Sequence, residues 1–418
     1  MGYGHQRTVF PLGDLAQGGR IINANDYPGI PAGDKRIWET TRKVYELISR
    51  LKKIPLIGEL FFFIFDRVQK ILRFYPKRDL SQPNFQLKQI FSLIKRGWGK
   101  HLIETLRRGS GQEPLPIITS FFTPAFMAEY FKYPGEIFCV VCDVDIARTW
   151  APINPQKSRI KYFAPTSWAV SRLKLYGVKE ENIFFTGYPL PQDLIGGKKM
   201  EILLQDLENR ILNLDPKKKY FQQYKILIDK YFGRLPEKSD HLLTIMFAVG
   251  GAGAQKEIGI QILKSLAKKI EADEIKIILV AGTKKKVKKY FEENIKKLDL
   301  RVNKNIEIVF DEDIKSYFQK FNLALKKTDV LWTKPSEISF YTALGLPIII
   351  APPVGSQEEF NKKWLLRLGS GISQENPNYA NQWLFDFLDS GRFAESAMQG
   401  FIEGEKLGTL NIEKIISK

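Results

Sequence analysis

The strongest constraint on this chain lies in its second half, where short apolar runs alternate with polar stretches of helix length. The runs occupy residues 243–249, 275–281, 306–310, 330–332 and 347–350. Buried strands joined through helices pair in parallel, so the segment predicts an open α/β sheet with helices on its faces. Ligands of such sheets bind beyond the carboxyl ends of the strands, where helix N-termini present unbonded N–H groups.

The residues at those ends are therefore the first to weigh. The run 243–249 leads directly into Gly250-Gly251-Ala252-Gly253, and the next run ends on Gly282-Thr283. Glycines in a strand–turn–helix context let the backbone approach a diphosphate. The run 330–332 leads into Lys334-Pro335-Ser336-Glu337, and 347–350 leads through a polar turn, 352–355, into Ser356-Gln357-Glu358-Glu359. Two readings stay open: a nucleotide pocket using Ser336, Glu337, Ser356 and Gln357, or ordinary βα turns carrying helix N-terminal signals. His241, ahead of the first run, is assigned no catalytic task.

At 418 residues the chain exceeds a single typical core, and two domains are expected. In the first half, strand-like runs at 116–120, 137–143, 160–163 and 182–186 alternate with helical segments 124–131 and 167–176. Gly187-Tyr188-Pro189-Leu190-Pro191 breaks that alternation and reads as the connection. The expected division is an N-terminal domain 1–195 with a helical insertion at about 34–108, a helical linker 196–240, a C-terminal domain 241–400, and a helix 401–418 that can pack back on the first domain. The opening, Met1 to Thr8, places Gly2 and Gly4 around Tyr3 and ahead of His5, like the glycine-rich turn that follows the first strand of a nucleotide-binding half. That strand is missing here: either the true start lies upstream, which is the expectation, or the fold manages without its first strand. Residues 12–19 predict a helix with a glycine end, and 20–23 a second strand.

The run 137–143 ends on Asp143, with Asp145 two residues on. Carboxylates there can serve acid/base chemistry or cap the following turn, and both remain open. Cys139 and Cys142 fall on opposite faces of the same run, which suits buried thiols and a reducing compartment rather than a disulfide or metal. No segment has the form of a signal peptide.

An excess of 64 Lys+Arg over 46 Asp+Glu leaves +18, which calls for an anionic partner. The lysines are scattered on helices and no recognition helix or stacking motif lies among them, which argues against nucleic acid. Residues 56–78 combine a block around Phe61-Phe62-Phe63 with Arg67, Lys70, Arg73, Lys77 and Arg78. The block is too short to cross a bilayer, and it suits either an interfacial helix on anionic lipid or a buried helix or dimer contact. His101, among charged neighbours, reads as a solvated helix position.

With these residues in place the chain resembles B-type glycosyltransferases, in the group containing monogalactosyldiacylglycerol synthases, processive diacylglycerol glucosyltransferases and the lipid II N-acetylglucosaminyltransferase. Gly2-Tyr3-Gly4-His5 looks like the N-terminal turn with its His, and residues 143–150 like the Thr-Asp…His…Trp segment. Residues 176–189 resemble the Gly-Val…Ile…Thr-Gly-x-Pro segment, and Gly250 to Gly253 the diphosphate loop. Lys334-Pro335 and Gly355-Ser356-Gln357-Glu358-Glu359-x-Asn361 resemble the Lys-Pro-Gly-Gly and Gly-Gln-Glu-x-x-Asn segments. The pattern departs at Ala147, where the family has His, and at Ser336-Glu337, where it has paired glycines. The glutamate that holds the nucleotide ribose has Thr342 nearest in sequence, with Glu337 as the substitute.

The resemblance implies two Rossmann-like domains facing a cleft, the first without its opening strand, and transfer of a sugar from a nucleotide-diphosphate donor, in the first instance a UDP-sugar, to a lipid or membrane-associated acceptor. It implies His5 and Asp143 as catalytic residues. Gly250, Gly251, Ala252, Gly253, Gly282, Lys334, Ser336, Glu337, Ser356, Gln357, Glu358 and Asn361 would contact the donor. No cofactor or metal is expected, and the site of action would be the cytoplasmic membrane surface. The alternatives are a sugar-nucleotide epimerase of the same fold and a degenerate nucleotide-binding membrane subunit.

Overall fold

The computed structural model describes residues 2–51, 71–109, 114–250, 253, 255–300, 305–353 and 356–417. They form two compact units. One comprises Met1–Pro189, Val354–Phe360 and Asn411–Lys418, and the other Leu190–Pro353 and Asn361–Leu410.

The first unit opens with helix α1 (Tyr3–Val9), followed by α2 (Ala32–Leu51), α3 (Phe85–Lys95) and α4 (Lys100–Gly109). It continues as β1 (Ile117–Thr119), α5 (Phe122–Tyr130), β2 (Ile137–Val140), β3 (Lys161–Ala164), α6 (Ser167–Leu175) and β4 (Ile183–Phe185). The four strands lie side by side in chain order, all parallel. Phe138 and Val140, two apart on β2, share a face, and with Phe163 of β3 they pack against Leu12 and Ile412. Phe138 and Phe163 stack at 4.9 Å. One side of this sheet is thus closed by both chain termini.

Among the described residues no strand precedes Ile117. The strand expected at 20–23 is absent: Ile21 and Ile22 are exposed, Gly18 and Gly19 bend the chain at positive φ, and a turn closes from Asp26 N to Asn23 O at 2.9 Å. Residues 12–19 form two short 3-10 segments rather than one helix. Of the greasy basic block, residues 56–70 lie outside the described residues. No helix among those described is long and apolar enough to cross a membrane.

The second unit runs through α7 (Glu201–Leu214), α8 (Lys219–Gln223), α9 (Lys225–Phe232), β5 (Leu243–Ala248), α10 (Lys256–Glu271), β6 (Ile275–Gly282), α11 (Lys285–Lys297), β7 (Ile306–Phe310), α12 (Ile314–Lys326) and β8 (Val330–Thr333). A 3-10 helix, Glu337–Leu344, leads to β9 (Ile348–Ile350), α13 (Ser356–Leu368), β10 (Gly371–Ser373), α14 (Ala380–Asp389) and α15 (Arg392–Glu403). The last helix, α16 (Gly408–Ile416), carries the Ile412 noted above. The six parallel strands stand in the order β10-β9-β8-β5-β6-β7. The chain therefore travels outward from β5 to β7, then returns to β8 on the other side of β5. That reversal makes the β5/β8 boundary the topological switch point of a Rossmann-like unit. Both units are thus Rossmann-like, as the sequence leads one to expect.

The segment read as a linker, 196–240, is part of the second unit. Arg210 of α7 is fully buried, donating from Nε to Thr328 O (2.8 Å) and from Nη1 to Leu344 O (2.7 Å), so it ties the chain before β8 to the end of the 3-10 helix. His241 joins the same end of the sheet through Asp240 (2.5 Å) and Asp329 (3.2 Å), and Asp329 also accepts from Thr244 N (2.8 Å) and Asn213 Nδ2 (2.9 Å). Despite burial, its two carboxylate partners hold the His241 imidazole above its ordinary value, while burial pushes the Asp329 carboxyl up. This is an anchor at the amino ends of the strands, away from where such sheets bind ligands.

Candidate functional site

In the first unit the chemistry gathers around His5. Gly2 is the N-cap of α1, so the glycine-rich opening is a helix start, with Gly4 inside the helix. The helix is held in place by Thr8, whose hydroxyl donates to Gly4 O (2.8 Å) and lies 3.0 Å from the buried Tyr188 hydroxyl. His5 then sits beyond the carboxyl ends of β1 and β2. Its Nδ1 lies 2.8 Å from Ser120 O, and Ser120 Oγ donates back to His5 O at 2.8 Å. A backbone carbonyl only accepts, so Nδ1 carries a proton, and in the neutral ring the lone pair is on Nε2. That is the tautomer a general base needs, locked by a reciprocal clamp across the sheet edge. The ring packs edge-on to Phe121 at 4.8 Å and near Trp150 at 6.4 Å.

The two carboxylates after β2 separate. Asp145 is buried and accepts from Arg172 Nε (2.8 Å) and Nη2 (2.7 Å), and from Ile146 N (2.9 Å). Its oxygens are committed to structure. Asp143 is half-buried, and its Oδ2 lies 3.9 Å from Cys142 Sγ, which is itself 3.5 Å from His5 Nδ1. Asp143 thus belongs to the neighbourhood of His5. Cys139, inside β2, is wholly buried, and burial raises its thiol far above the ordinary range; neither cysteine is in a disulfide. Ala147 is buried as well. His101 corrects the sequence reading: it is half-buried, stacked on Tyr27 at 5.8 Å, with Nδ1 3.1 Å from the Tyr27 hydroxyl.

In the second unit Gly250, Gly282 and Lys334 come together at the switch point. Gly250 follows β5, Gly282 ends the neighbouring β6, and Lys334 follows β8 on the other side, with Ala248 paired to both Val280 and Thr333. The loop after β5 closes through Gly253 N to Gly250 O at 2.7 Å. Gly253 (φ +72) and Gln255 (φ 66) lie in the left-handed region, and Gln255 Nε2 donates to Pro352 O at 2.8 Å. For a non-glycine residue that backbone is strained, a common mark of functional loops. Gly251 and Ala252 lie outside the described residues.

Lys334 lies against this loop. A Cβ placed on Gly250 would stand 2.4 Å from Lys334 Cε and 3.3 Å from its Nζ, so glycine at 250 is what admits the lysine stem. The lysine backbone is held too: Ser336 N donates to Lys334 O (2.8 Å), and Asn361 Nδ2 donates to Pro335 O (3.1 Å). Asn361 is 1% exposed. It therefore holds the Lys334-Pro335 loop from behind through the Pro335 carbonyl.

Ser336 precedes the 3-10 helix without capping it through its side chain, and half-buried Glu337 is that helix's first residue. Thr342 is fully buried against Gly400, where a Cβ would meet its Oγ1 at 2.4 Å. It is core, which leaves Glu337 as the acidic residue on this loop. Ser356 opens α13, and Gln357 and Glu358 are half-buried in its first turn; Gly355 and the Ser356 side chain are not among the described parts. Asp329, Arg210 and Ser120 escaped the sequence reading because they act through partners more than 80 residues away.

Comparison with known proteins gives three kinds of match. A family model described as "Domain of unknown function (DUF6938)" covers residues 233–307. The processive diacylglycerol β-glucosyltransferase of Bacillus subtilis is 21% identical over 261 residues, which is 61% of this chain and 56% of that protein. Its counterpart in Bacillus licheniformis is 22% identical over 263 residues, with the same coverage. The chain thus spans about half the length of these curated relatives. Among solved structures, the UDP-GlcNAc 2-epimerase of Neisseria meningitidis bound to UDP-GlcNAc (14% identity, TM-score 0.44) and MurG of Acinetobacter baumannii (13%, TM-score 0.44) each align over 87% of this chain and 89% of theirs. The curated relatives fall in the glycosyltransferase group that the motifs resemble.

Proposed function

We propose that this chain is a glycosyltransferase that moves a hexose from a UDP-sugar to the hydroxyl of a lipid acceptor at a membrane surface. The observation that carries the reading is the Lys334 stem laid over Gly250 at the switch point of the second sheet. A diphosphate held there meets two sources of positive potential: the lysine and the N-terminal end of α10.

The chemistry divides between the units. In the first, His5 Nε2 accepts the proton of the acceptor hydroxyl as its oxygen attacks the anomeric carbon of the donor. In the second, the bond from that carbon to the diphosphate breaks, and Lys334 with the N-terminus of α10 stabilises the charge that develops on the departing nucleotide. Glu337 would take the ribose hydroxyls, with Ser336 as a further contact. Asp143 is the second acid/base group. Because the lysine and helix end supply positive charge, no metal is required, and chelation with EDTA should leave turnover unchanged. The greasy basic stretch 56–78 would hold the protein on anionic lipid at the cytoplasmic face.

The direct test offers purified protein a panel of UDP-sugars with diacylglycerol in detergent micelles and follows glycolipid formation. Transfer from one UDP-hexose supports the reading. UDP-GlcNAc converted to its 2-epimer with no acceptor product would move the chain to the epimerases. UDP binding without either product would make it a binding subunit.

A further inference from the structure

The rings around His5 do not stop at the candidate base. Phe121 lies 4.8 Å from the His5 ring, Trp38 of α2 lies 6.2 Å beyond Phe121, and Trp98 stands 4.7 Å from Trp38. His5, Phe121 and Trp38 are all half-buried, while Trp98, Phe122 and Trp150 beneath them are buried. The support is fixed: the Asp34 carboxylate accepts Gly99 N at 3.1 Å and pins the start of α2 to the Gly97–Gly99 turn, whose two glycines have positive φ. A Cβ on Gly99 would stand 2.2 Å from Met127 Sδ, so the turn is pressed against α5.

We propose that His5, Phe121 and Trp38 form one continuous shelf that takes the apolar part of the acceptor, an acyl chain attached to the alcohol whose hydroxyl meets His5, and that Trp38 sets the acyl-length preference. This rests on the transfer reading above. The rings are tilted to one another by 48° to 61° and so present an uneven apolar strip, not the flat platform a sugar ring stacks on. The neighbouring hydroxyls are committed to backbone, Ser120 Oγ to the His5 carbonyl and Thr119 Oγ1 to the Phe121 carbonyl. The strip begins at the base itself, and α2, which carries Trp38, leads in sequence toward the apolar block after Leu56. A methylene chain gains from such a strip by burial, without hydrogen bonds.

The test uses the full chain with diacylglycerol bearing brominated acyl chains in detergent micelles, the non-brominated lipid serving as control. Bromine quenches tryptophan only on close approach. The expected result is quenching of the wild type that is largely lost in Trp38→Phe, a variant that keeps the packing with Trp98. Equal quenching in both proteins, or none in either, overturns the proposal. In transfer assays, Trp38→Ala should lower the ratio of long-chain to short-chain kcat/KM about tenfold, with recovery in Trp38→Phe; an unchanged ratio also overturns it. Quenching needs no turnover, so failure of the transfer reading and failure of the shelf are separable.

Discussion

The His5 end of the first unit and the Lys334 end of the second occupy equivalent places, beyond the carboxyl ends of parallel strands, yet they are built in opposite ways. His5 is held by partners far away in sequence: the Ser120 carbonyl and hydroxyl clamp it, and Tyr188 holds its helix. Around Lys334 the parts are local turns, a glycine loop closed on itself and a short loop tied to Asn361. A base must have one tautomer and one direction, which demands long-range packing. A diphosphate site needs room for backbone and a concentration of positive potential, which short motifs can encode.

The largest expected effect lies at the clamped end. His5→Ala should lower kcat for transfer by about 10²–10⁴ while leaving UDP affinity as it is, because the base acts on the acceptor. Steady-state kinetics beside UDP titration checks this, and a parallel loss of UDP affinity would blur the division between the ends. The buried carboxylate after β2 has a structural part instead. Asp145→Asn breaks a buried pair with Arg172 and should cost about 3–5 kcal/mol in urea unfolding.

At the other end, Asn361→Ala leaves the buried Pro335 carbonyl without its donor, a loss of about 1–3 kcal/mol that should weaken UDP binding through Lys334 rather than by direct contact. A variant with unchanged stability but weakened UDP binding would return Asn361 to the list of direct contacts. The smallest effect belongs to the amino-end anchor. Burial holds the half-buried Asp206 carboxyl up at about 6, against the pull of Arg210 and Lys326. A raised carboxyl contributes stability fully present below its unfolded value of 3.8 and lost as pH rises through about 6. Asp206→Asn should therefore raise the melting temperature near neutral pH, the gain fading by about pH 4, with kcat unchanged throughout.

This asymmetry also explains what could be read from sequence. The five apolar runs of the second half all became strands, and Gly250, Gly282 and Lys334 fell at adjacent strand ends, because parallel pairing and glycine turns are written in neighbouring residues. Residues 20–23 carried only two apolar side chains and found no strand to pair with. The linker reading of 196–240 failed because its polar surface concealed Arg210, whose carbonyl partners lie more than 100 residues on. Asn361 was placed on the correct element, but its direction depends on the Pro335 carbonyl, which spacing along a helix does not reveal.

The central claim is that the second unit binds a nucleoside diphosphate where Lys334 crosses Gly250, and thermal shift with UDP and UMP tests it most directly. A ligand that binds only the native state raises the melting temperature in proportion to its affinity. UDP should stabilise the wild type well beyond UMP, and Lys334→Ala should remove most of that difference while leaving the UMP shift in place. An undiminished UDP advantage in Lys334→Ala, or no UDP shift in the wild type, would contradict the account.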